Sequence, residues 1–432
     1  MNRHVISDLY AWKVKKRRKP LVLQGARQVG KTWLMTAFAK EAFTKHIYIN
    51  FETNVQLKSL FEKDFDIKRI FMDIYLATGV RPDEDTLLLL DEIQEAPRGI
   101  TALKYFCELA PAQPVIAAGS MLGIAMHTAD SFPVGKVDFL TLYPLSFFEF
   151  LDAMGEGRFV EVIRQKRWEQ LSFFTTHIED MLRQYYFVGG MPEAVASFVE
   201  DRDPVEVREI QKNILDAYDR DFSKHAPVSE VPRLRMVWNS INGQLSKENK
   251  KFIYGFVKEG ARAKDFEMAL EWLQDAGLVY KVYRAKKAMI PLTAYQDFAA
   301  FKLFMLDVGL LGAMGNVSQQ SLVSGNAILT DYKGAMTEQY VFQHLRLLKD
   351  NSIFYWSADN SRGEIDFLVQ HSEDVCPIEV KAEENLQSKS LRAFVERNPN
   401  LHGLRFSMSG YREQEWMTNY PLYSVEALFD NH

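Results

Sequence analysis

Short apolar runs and longer amphipathic stretches alternate through the first third of the chain. The runs are Leu21–Gln24, His46–Phe51, Thr86–Asp91, Val115–Gly119 and Val137–Leu142. Apolar runs that short, without a clean polar alternation, predict strands buried on both faces. Helical stretches between them predict an α/β fold with a mainly parallel sheet. From Arg158 to His225 the spacing is helical, interrupted at Gly189-Gly190-Met191-Pro192-Glu193. There Gly-Gly ends one helix and Pro192 opens the next. Between Glu230 and Asn316 a helical run, Phe266–Leu273, meets a stop at Gly277. An alternating strand, Leu278–Tyr283, follows, then a basic turn, Arg284–Lys287. Helix, strand, basic turn and strand is the order of a winged helix. The remainder predicts a helix over Lys333–Leu348 and strands over Ile353–Ser357, Glu364–Gln370 and Cys376–Lys381. A helix over Ser388–Glu396 and a strand over Gly403–Met408 complete it.

Chemistry first becomes specific between the first strand and the first long helix. Gly25-Ala26-Arg27-Gln28-Val29-Gly30-Lys31-Thr32 has the spacing of a phosphate-binding loop in the strand–loop–helix setting that motif requires. Its glycines let backbone N–H groups curl around phosphates, Lys31 reaches the β and γ oxygens, and Thr32 offers a hydroxyl to Mg2+. The run Leu87–Leu90 ends in Asp91-Glu92. In this setting Asp91 is expected to hold the metal and Glu92 to take a proton from the attacking water. Ser120, after the strand Val115–Gly119, is expected beside the γ-phosphate.

A second constellation lies near the C-terminus. Glu338 falls on a helix, Asp366 on one strand, and Glu379 and Lys381 on one face of the next, because strand side chains alternate. Asp366 and Glu379 are candidate ligands for Mg2+ or Mn2+, with Glu338 and Lys381 completing a catalytic set that orients water. Three readings stay open at this stage: an active nuclease, a nuclease-type fold that binds without cutting, and a Glu379–Lys381 ion pair on an exposed sheet.

Composition narrows the setting. The chain has 432 residues, 47% of them hydrophobic, and a formal net charge of −5. That length suits several domains with their own cores. The charge excludes a wholly basic nucleic-acid coat but not local patches such as Lys13–Lys19. Cys107 and Cys376 are the only cysteines and stand far apart, and Met1–Asp8 lacks the apolar core of a signal peptide. Both point to a cytoplasmic protein. No uncharged apolar run reaches the ~18 residues of a spanning helix, so no membrane partner is expected.

The chain resembles prokaryotic AAA-type P-loop ATPases whose C-terminal domain is similar to the PD-(D/E)xK nuclease superfamily. The resemblance rests on Gly25–Thr32, Leu87–Glu95, Leu142–Phe150, Gly189–Glu193, Lys302–Leu310 and Ile378–Lys381. It implies a P-loop core at 1–157, a helical lid at 158–229, a winged-helix-like domain at 230–320 and a nuclease-like domain at 325–432. It implies ATP and Mg2+ as ligands, DNA as a partner and a homo-oligomer as a candidate assembly. It also implies that Gly190 and Pro192 approach the adenine. Similar sequences carry Gly-Arg-Val where this one has Gly135-Lys136-Val137. An arginine there that stabilises the transferring phosphoryl group would be replaced by a point charge, or by Arg98 or Arg220. Two functions follow: an ATPase that couples turnover to action on DNA, or a slow nucleotide-dependent switch whose C-terminal domain is a docking module.

Overall fold

The computed structural model describes residues 2–120, 122–124, 133–246, 251–320, 330–358, 363–382 and 387–429. Packing divides the chain into two units. The first comprises Asn2–Pro144 and a short return, Asp275–Leu278; the second comprises Leu145–Gln274 and Val279–His432.

The first unit is built on five parallel strands, β1 (Leu21–Gln24), β2 (Lys45–Asn50), β3 (Thr86–Asp91), β4 (Val115–Ala118) and β5 (Asp138–Thr141), in the order β2-β3-β4-β1-β5. This is the parallel α/β sheet expected from the apolar runs, with each strand within a residue of its predicted limits. Leu87, Leu88, Leu89 and Leu90 are all fully buried, each worth about 1.5–3 kcal/mol relative to an exposed side chain. Helices Lys31–Ala42, Ile67–Thr78 and Gly99–Leu109 connect the strands. The second of them buries Ile67, Ile70 and Ile74 at helical spacing, and its N-cap Asp66 accepts a hydrogen bond from the Lys68 N–H, a cap worth about 1 kcal/mol. The apolar faces of the last two helices and the strands share one core that includes Ile49, Phe51, Phe61, Phe106 and Val115.

The second unit combines helices with an eight-stranded mixed sheet. Its strands are β6 (Val279–Ala285), β7 (Gln296–Met305), β8 (Asn351–Ser357), β9 (Glu364–His371), β10 (Asp374–Val380), β11 (Gly403–Ser407), β12 (Arg412–Glu413) and β13 (Met417–Pro421), ordered β12-β13-β11-β10-β9-β8-β6-β7. The hairpin β6–β7, expected as the wing of a separate module, is joined to β8 through Arg284 and Tyr355 and forms one edge of this sheet.

Three of the stretches that carried the family resemblance meet inside this unit. The Leu145 N–H donates to the Gly190 carbonyl at 2.6 Å, and the Tyr185 hydroxyl to the Leu145 carbonyl at 2.6 Å. Asp307, fully buried, accepts from the N–H groups of Gly190 at 2.7 Å and Leu310 at 2.9 Å. The helix Phe147–Ala153 opens with a capping box between Ser146 and Glu149. Its Phe147 N–H donates to His344 Nε2 at 2.9 Å and its Phe148 N–H to Glu426 Oε1 at 2.9 Å. The free N–H groups of a helix start are thus satisfied by residues nearly two hundred or more positions away in sequence. Among the described residues no helix is long and apolar enough to cross a membrane.

Candidate nucleotide-binding site

β1 ends at Gln24 and the chain turns at Gly25, where φ is 144° and a Cβ would collide with the Leu142 carbonyl. The loop then enters the helix Lys31–Ala42 through Gly30, which is left-handed. Loop N–H groups gathered at a helix N-terminus form an anion site. Lys31 Nζ donates to the carbonyls of Gly25 and Ala26, both at 2.7 Å, so the ammonium lies folded over the loop. Burial pushes its pKa down to about 8; Glu92 and Asp91 oppose that fall and Arg27 adds to it. Arg3, which no sequence pattern singles out, braces the loop from outside: its guanidinium donates to the Val29 carbonyl at 3.0 Å and the Tyr143 carbonyl at 2.6 Å.

Thr32 and Asp91 come together as expected. Thr32 Oγ1 donates to Asp91 Oδ2 at 2.8 Å. The same oxygen accepts from the Tyr48 hydroxyl at 2.8 Å. Burial raises the Asp91 pKa, and the Thr32 and Tyr48 bonds offset part of that rise. A carboxylate and a hydroxyl at this separation, beside a phosphate loop, fit an octahedral Mg2+ that completes its shell with water and phosphate oxygens. Tyr48 is not among the residues the sequence pattern picks out. It lies two residues before Asn50, which pairs with Asp91 across the β2–β3 ladder, so only the register brings it to the site.

Glu92 takes a left-handed backbone conformation, φ 49°, where non-glycine residues are uncommon and functional sites are enriched. Its Oε2 accepts from the Ser120 N–H at 3.3 Å, the Ser120 hydroxyl at 3.2 Å and Gln94 Nε2. The expected base and the expected polar sensor are therefore in direct contact.

Lys136 lies elsewhere. It precedes β5, whose Asp138 pairs with Leu21 at the start of β1, whereas the phosphate loop follows the end of β1. At about 3.3 Å per residue along a strand, Lys136 sits at the opposite end of the strands from its own loop. Its ammonium pairs with Glu108 at 2.9 Å. The register therefore leaves Lys136 away from the phosphate loop of its own chain. Arg98 lies at the start of the helix Gly99–Leu109, donating to the Glu62 carbonyl at 2.9 Å and stacking 4.1 Å from the Phe65 ring centre. Arg220 is exposed on the helix Pro204–His225 of the other unit. In the basic run, Lys15 pairs with Asp138 at 2.9 Å and Arg18 donates to the Ala112 carbonyl at 2.8 Å.

In the second unit, Gly190 is accounted for by packing: a Cβ there would collide with the Leu145 carbonyl. Pro192 occupies the first turn of the helix Pro192–Asp201. Asp366 Oδ2 accepts from the Val380 N–H at 2.8 Å, and Glu379 pairs with Lys381 at 3.1 Å. Glu338 is 3.5 Å from Lys302 Nζ. Lys302 belongs to a stretch that carries the family resemblance, but its spacing alone assigns it no role. Arg284, from the basic turn, is held by Asp297 through Nε at 3.0 Å and a terminal nitrogen at 2.7 Å.

A phosphate loop after a central parallel strand, with Thr32 bonded to Asp91 and Glu92 bonded to Ser120, defines an AAA-type P-loop ATPase domain. The family described as "AAA domain" matches residues 17–151. Residues 179–321 and 333–426 match two families described only as domains of unknown function (DUF8612 and DUF4143). No curated protein matches the chain. Among solved structures it is similar to a Walker-type ATPase of Pyrococcus abyssi, at 14% identity and a TM-score of 0.48, over 73% of this chain and 95% of that one. It is more distantly similar to the ORC1 protein of Aeropyrum pernix in complex with DNA, at 11% identity and a TM-score of 0.31, over 73% and 93%. For Cdc6p of Pyrobaculum aerophilum the values are 11% and 0.26, over 74% and 94%.

Proposed function

We propose that this protein binds ATP in the first unit, hydrolyses it, and couples turnover to action on DNA through the second. The observation that carries the reading is the Thr32–Asp91 hydrogen bond of 2.8 Å beside the Lys31 loop. Thr32 and Asp91 would hold Mg2+, which neutralises charge on the β and γ phosphates when bound. Lys31 leaves the Gly25 and Ala26 carbonyls for the same oxygens. Glu92 releases Ser120 and takes a proton from water as the water oxygen bonds to the γ phosphorus. The bond to the bridging oxygen breaks, and its electron pair leaves with ADP. Ser120, freed from Glu92, donates to a γ oxygen.

The second unit acts on DNA in this reading through the lid at 158–229, the winged-helix-like stretch at 230–320 and the nuclease-like stretch at 325–432. Support comes from the β6–β7 hairpin, where Lys286 and Lys287 are exposed and Phe298, 77% exposed, lies 5.9 Å from Tyr283. Exposed cations on a hairpin that also exposes an aromatic ring suit a nucleic-acid backbone and its bases. A homo-oligomer in the cytoplasm is part of the proposal.

A slow nucleotide-dependent switch is the second reading. The position of Lys136 favours it, because its charge is held on Glu108 and away from the chain's own loop. The test is ATP turnover with and without single-stranded, duplex and four-way DNA in Mg2+, in wild type, Lys31→Ala and Glu92→Gln. DNA-stimulated turnover that falls about 100-fold or more in both variants is the expected result. Turnover indifferent to every DNA, with nucleotide-driven assembly, moves the assignment to the switch. Equal turnover in Lys31→Ala and wild type removes the ATPase reading.

A further inference from the structure

The C-terminal sheet carries Asp366 and Glu379, the acids expected to hold a nuclease's metal, and their surroundings decide whether they are available to one. β9 and β10 run antiparallel with Ile378 opposite Phe367. The next step along that ladder sets Glu379 opposite Asp366, the arrangement a shared divalent ion needs. An ion such as Mg2+ requires carboxylate oxygens that converge on it at about 2.0–2.1 Å. Three of the four oxygens here are turned to other partners, and the fourth, Glu379 Oε2, is buried without a hydrogen bond. Asp366 Oδ2 accepts from the Val380 N–H at 2.8 Å, and Asp366 Oδ1 lies 3.9 Å from Lys302 Nζ. Glu379 Oε1 is 3.1 Å from Lys381 Nζ.

Lys302 comes from β7, in the hairpin that forms the edge of the same sheet, and its side chain is fully buried. Its ammonium also lies 3.5 Å from Glu338, is in contact with Glu364, and sits 5.1 Å from the Tyr355 ring centre. One cation therefore faces three carboxylates from a helix and a strand, among them Asp366, one of the two expected metal ligands. Among the described residues, no group of three or more His, Cys, Asp or Glu side chains could hold a metal ion.

We infer that Lys302 is the resident cation of this acidic cluster, standing in for a divalent metal, and that the C-terminal domain does not cut phosphodiesters. An ammonium compensates charge as a metal does. It accepts no ligand water, does not acidify one, and cannot bridge to a scissile phosphate as a Lewis acid. The acids become structural, and the domain keeps the shape of a nuclease as a binding surface. This inference stands apart from the ATPase reading, since every residue in it belongs to the second unit.

The experiment is a Mn2+ titration followed by electron paramagnetic resonance on the full chain without nucleotide, together with supercoiled DNA in Mn2+. Wild type and Asp366→Asn are expected to bind the same number of ions, which cancels any ion held at the phosphate loop, and to leave DNA intact. Lys302→Met is expected to gain one site that Lys302→Met/Asp366→Asn lacks. If Lys302→Met does not fold, Lys302→Met/Glu364→Gln keeps the net charge and is expected to gain the same site. A wild-type ion lost in Asp366→Asn overturns the inference. So does Mn2+-dependent cleavage abolished by Asp366→Asn, or a folded Lys302 variant that gains no site.

Discussion

At the scale of single residues, Lys31 is the most consequential side chain, because it is poised between two states. Below about pH 8 it is an ammonium in the free protein; above that it is increasingly neutral, since burial disfavours the charge. Phosphates need the ammonium, so bound ATP raises its pKa again. Apparent ATP affinity should hold steady from pH 7 to 8 and then fall by up to about tenfold, ~1.4 kcal/mol, per unit. Nucleotide binding followed by fluorescence from pH 7 to 9.5 checks this; a flat profile in wild type would contradict it. Lys31→Ala should lose the slope along with most of the affinity. The core of this site was legible in the sequence because Gly25–Thr32 is contiguous and Asp91-Glu92 closes an unbroken leucine run. Arg3, Tyr48 and Gln94 were not legible. Their roles depend on which backbone carbonyl, strand register or loop each one meets, and no local spacing encodes that.

At the scale of elements, the stretch Leu145–Phe148 is anchored by distant partners. A methyl group at Gly190 would meet the Leu145 carbonyl, whereas a methyl at Gly334, on the helix Thr330–Leu345, would find nothing within 4 Å. Gly190→Ala should cost roughly 2 kcal/mol or more. Gly334→Ala should be neutral or stabilising by up to about 1 kcal/mol. Chemical denaturation of the full chain distinguishes them, and equal stability of the two would refute the packing argument.

The same joint makes a pH prediction. Burial raises the Glu426 pKa to about 8, and the bonds from Ser146 and Phe148 offset only part of that rise. Burial pushes His344 down to about 3, so its ring is neutral when folded. The unfolded ring, about half charged at pH 6.5 and mostly neutral above about pH 7.5, offsets part of the Glu426 slope only at the lower end. A raised carboxyl pKa gives stability that is present at low pH and lost as pH climbs toward the folded value. Melting temperature should therefore fall from pH 6.5 to 8. Glu426→Gln, which keeps an acceptor for the Phe148 N–H, should flatten that slope.

β1, β3 and β4 were readable because burial on two faces leaves unbroken apolar runs, and β6 because its polar and apolar positions alternate. The hairpin β6–β7 was readable as a hairpin but not as a sheet edge, since its bond to β8 spans Arg284 to Tyr355. β12 and β13 escaped notice: one has two residues and the other, Met417–Pro421, mixes polar and apolar side chains without a clear period. Gly190 and Pro192 read as adenine contacts by resemblance, and no local spacing showed that Gly190 also joins Leu145 to Asp307.

At the scale of the whole molecule, the first unit is not one continuous piece. The chain leaves it at Pro144 and returns for Asp275–Leu278. In that return a methyl on Gly277 would lie 3.3 Å from the Ala26 nitrogen of the phosphate loop, in a backbone with φ +73°. Gly260 shares the sign of φ, at +75°, but nothing lies within 4 Å of its position. Alanine at either site carries a similar left-handed strain of about 1–2 kcal/mol. Only Gly277→Ala also crowds the loop, so it should weaken ATP binding severalfold while Gly260→Ala leaves it unchanged. Nucleotide titrations of the two variants decide the point, and equal affinities would mean that the return segment does not govern the loop.

That four-residue return constrains how such a protein is inherited. A single genetic crossover between the codons for residues 145 and 274 would transplant a phosphate loop without the turn that lies against it. Every such recombinant pairs an Ala26 from one parent with a Gly277 from the other. A mismatch in size or backbone shape between the two would crowd the loop, so keeping this contact intact takes two cuts, one on either side of residues 145–274.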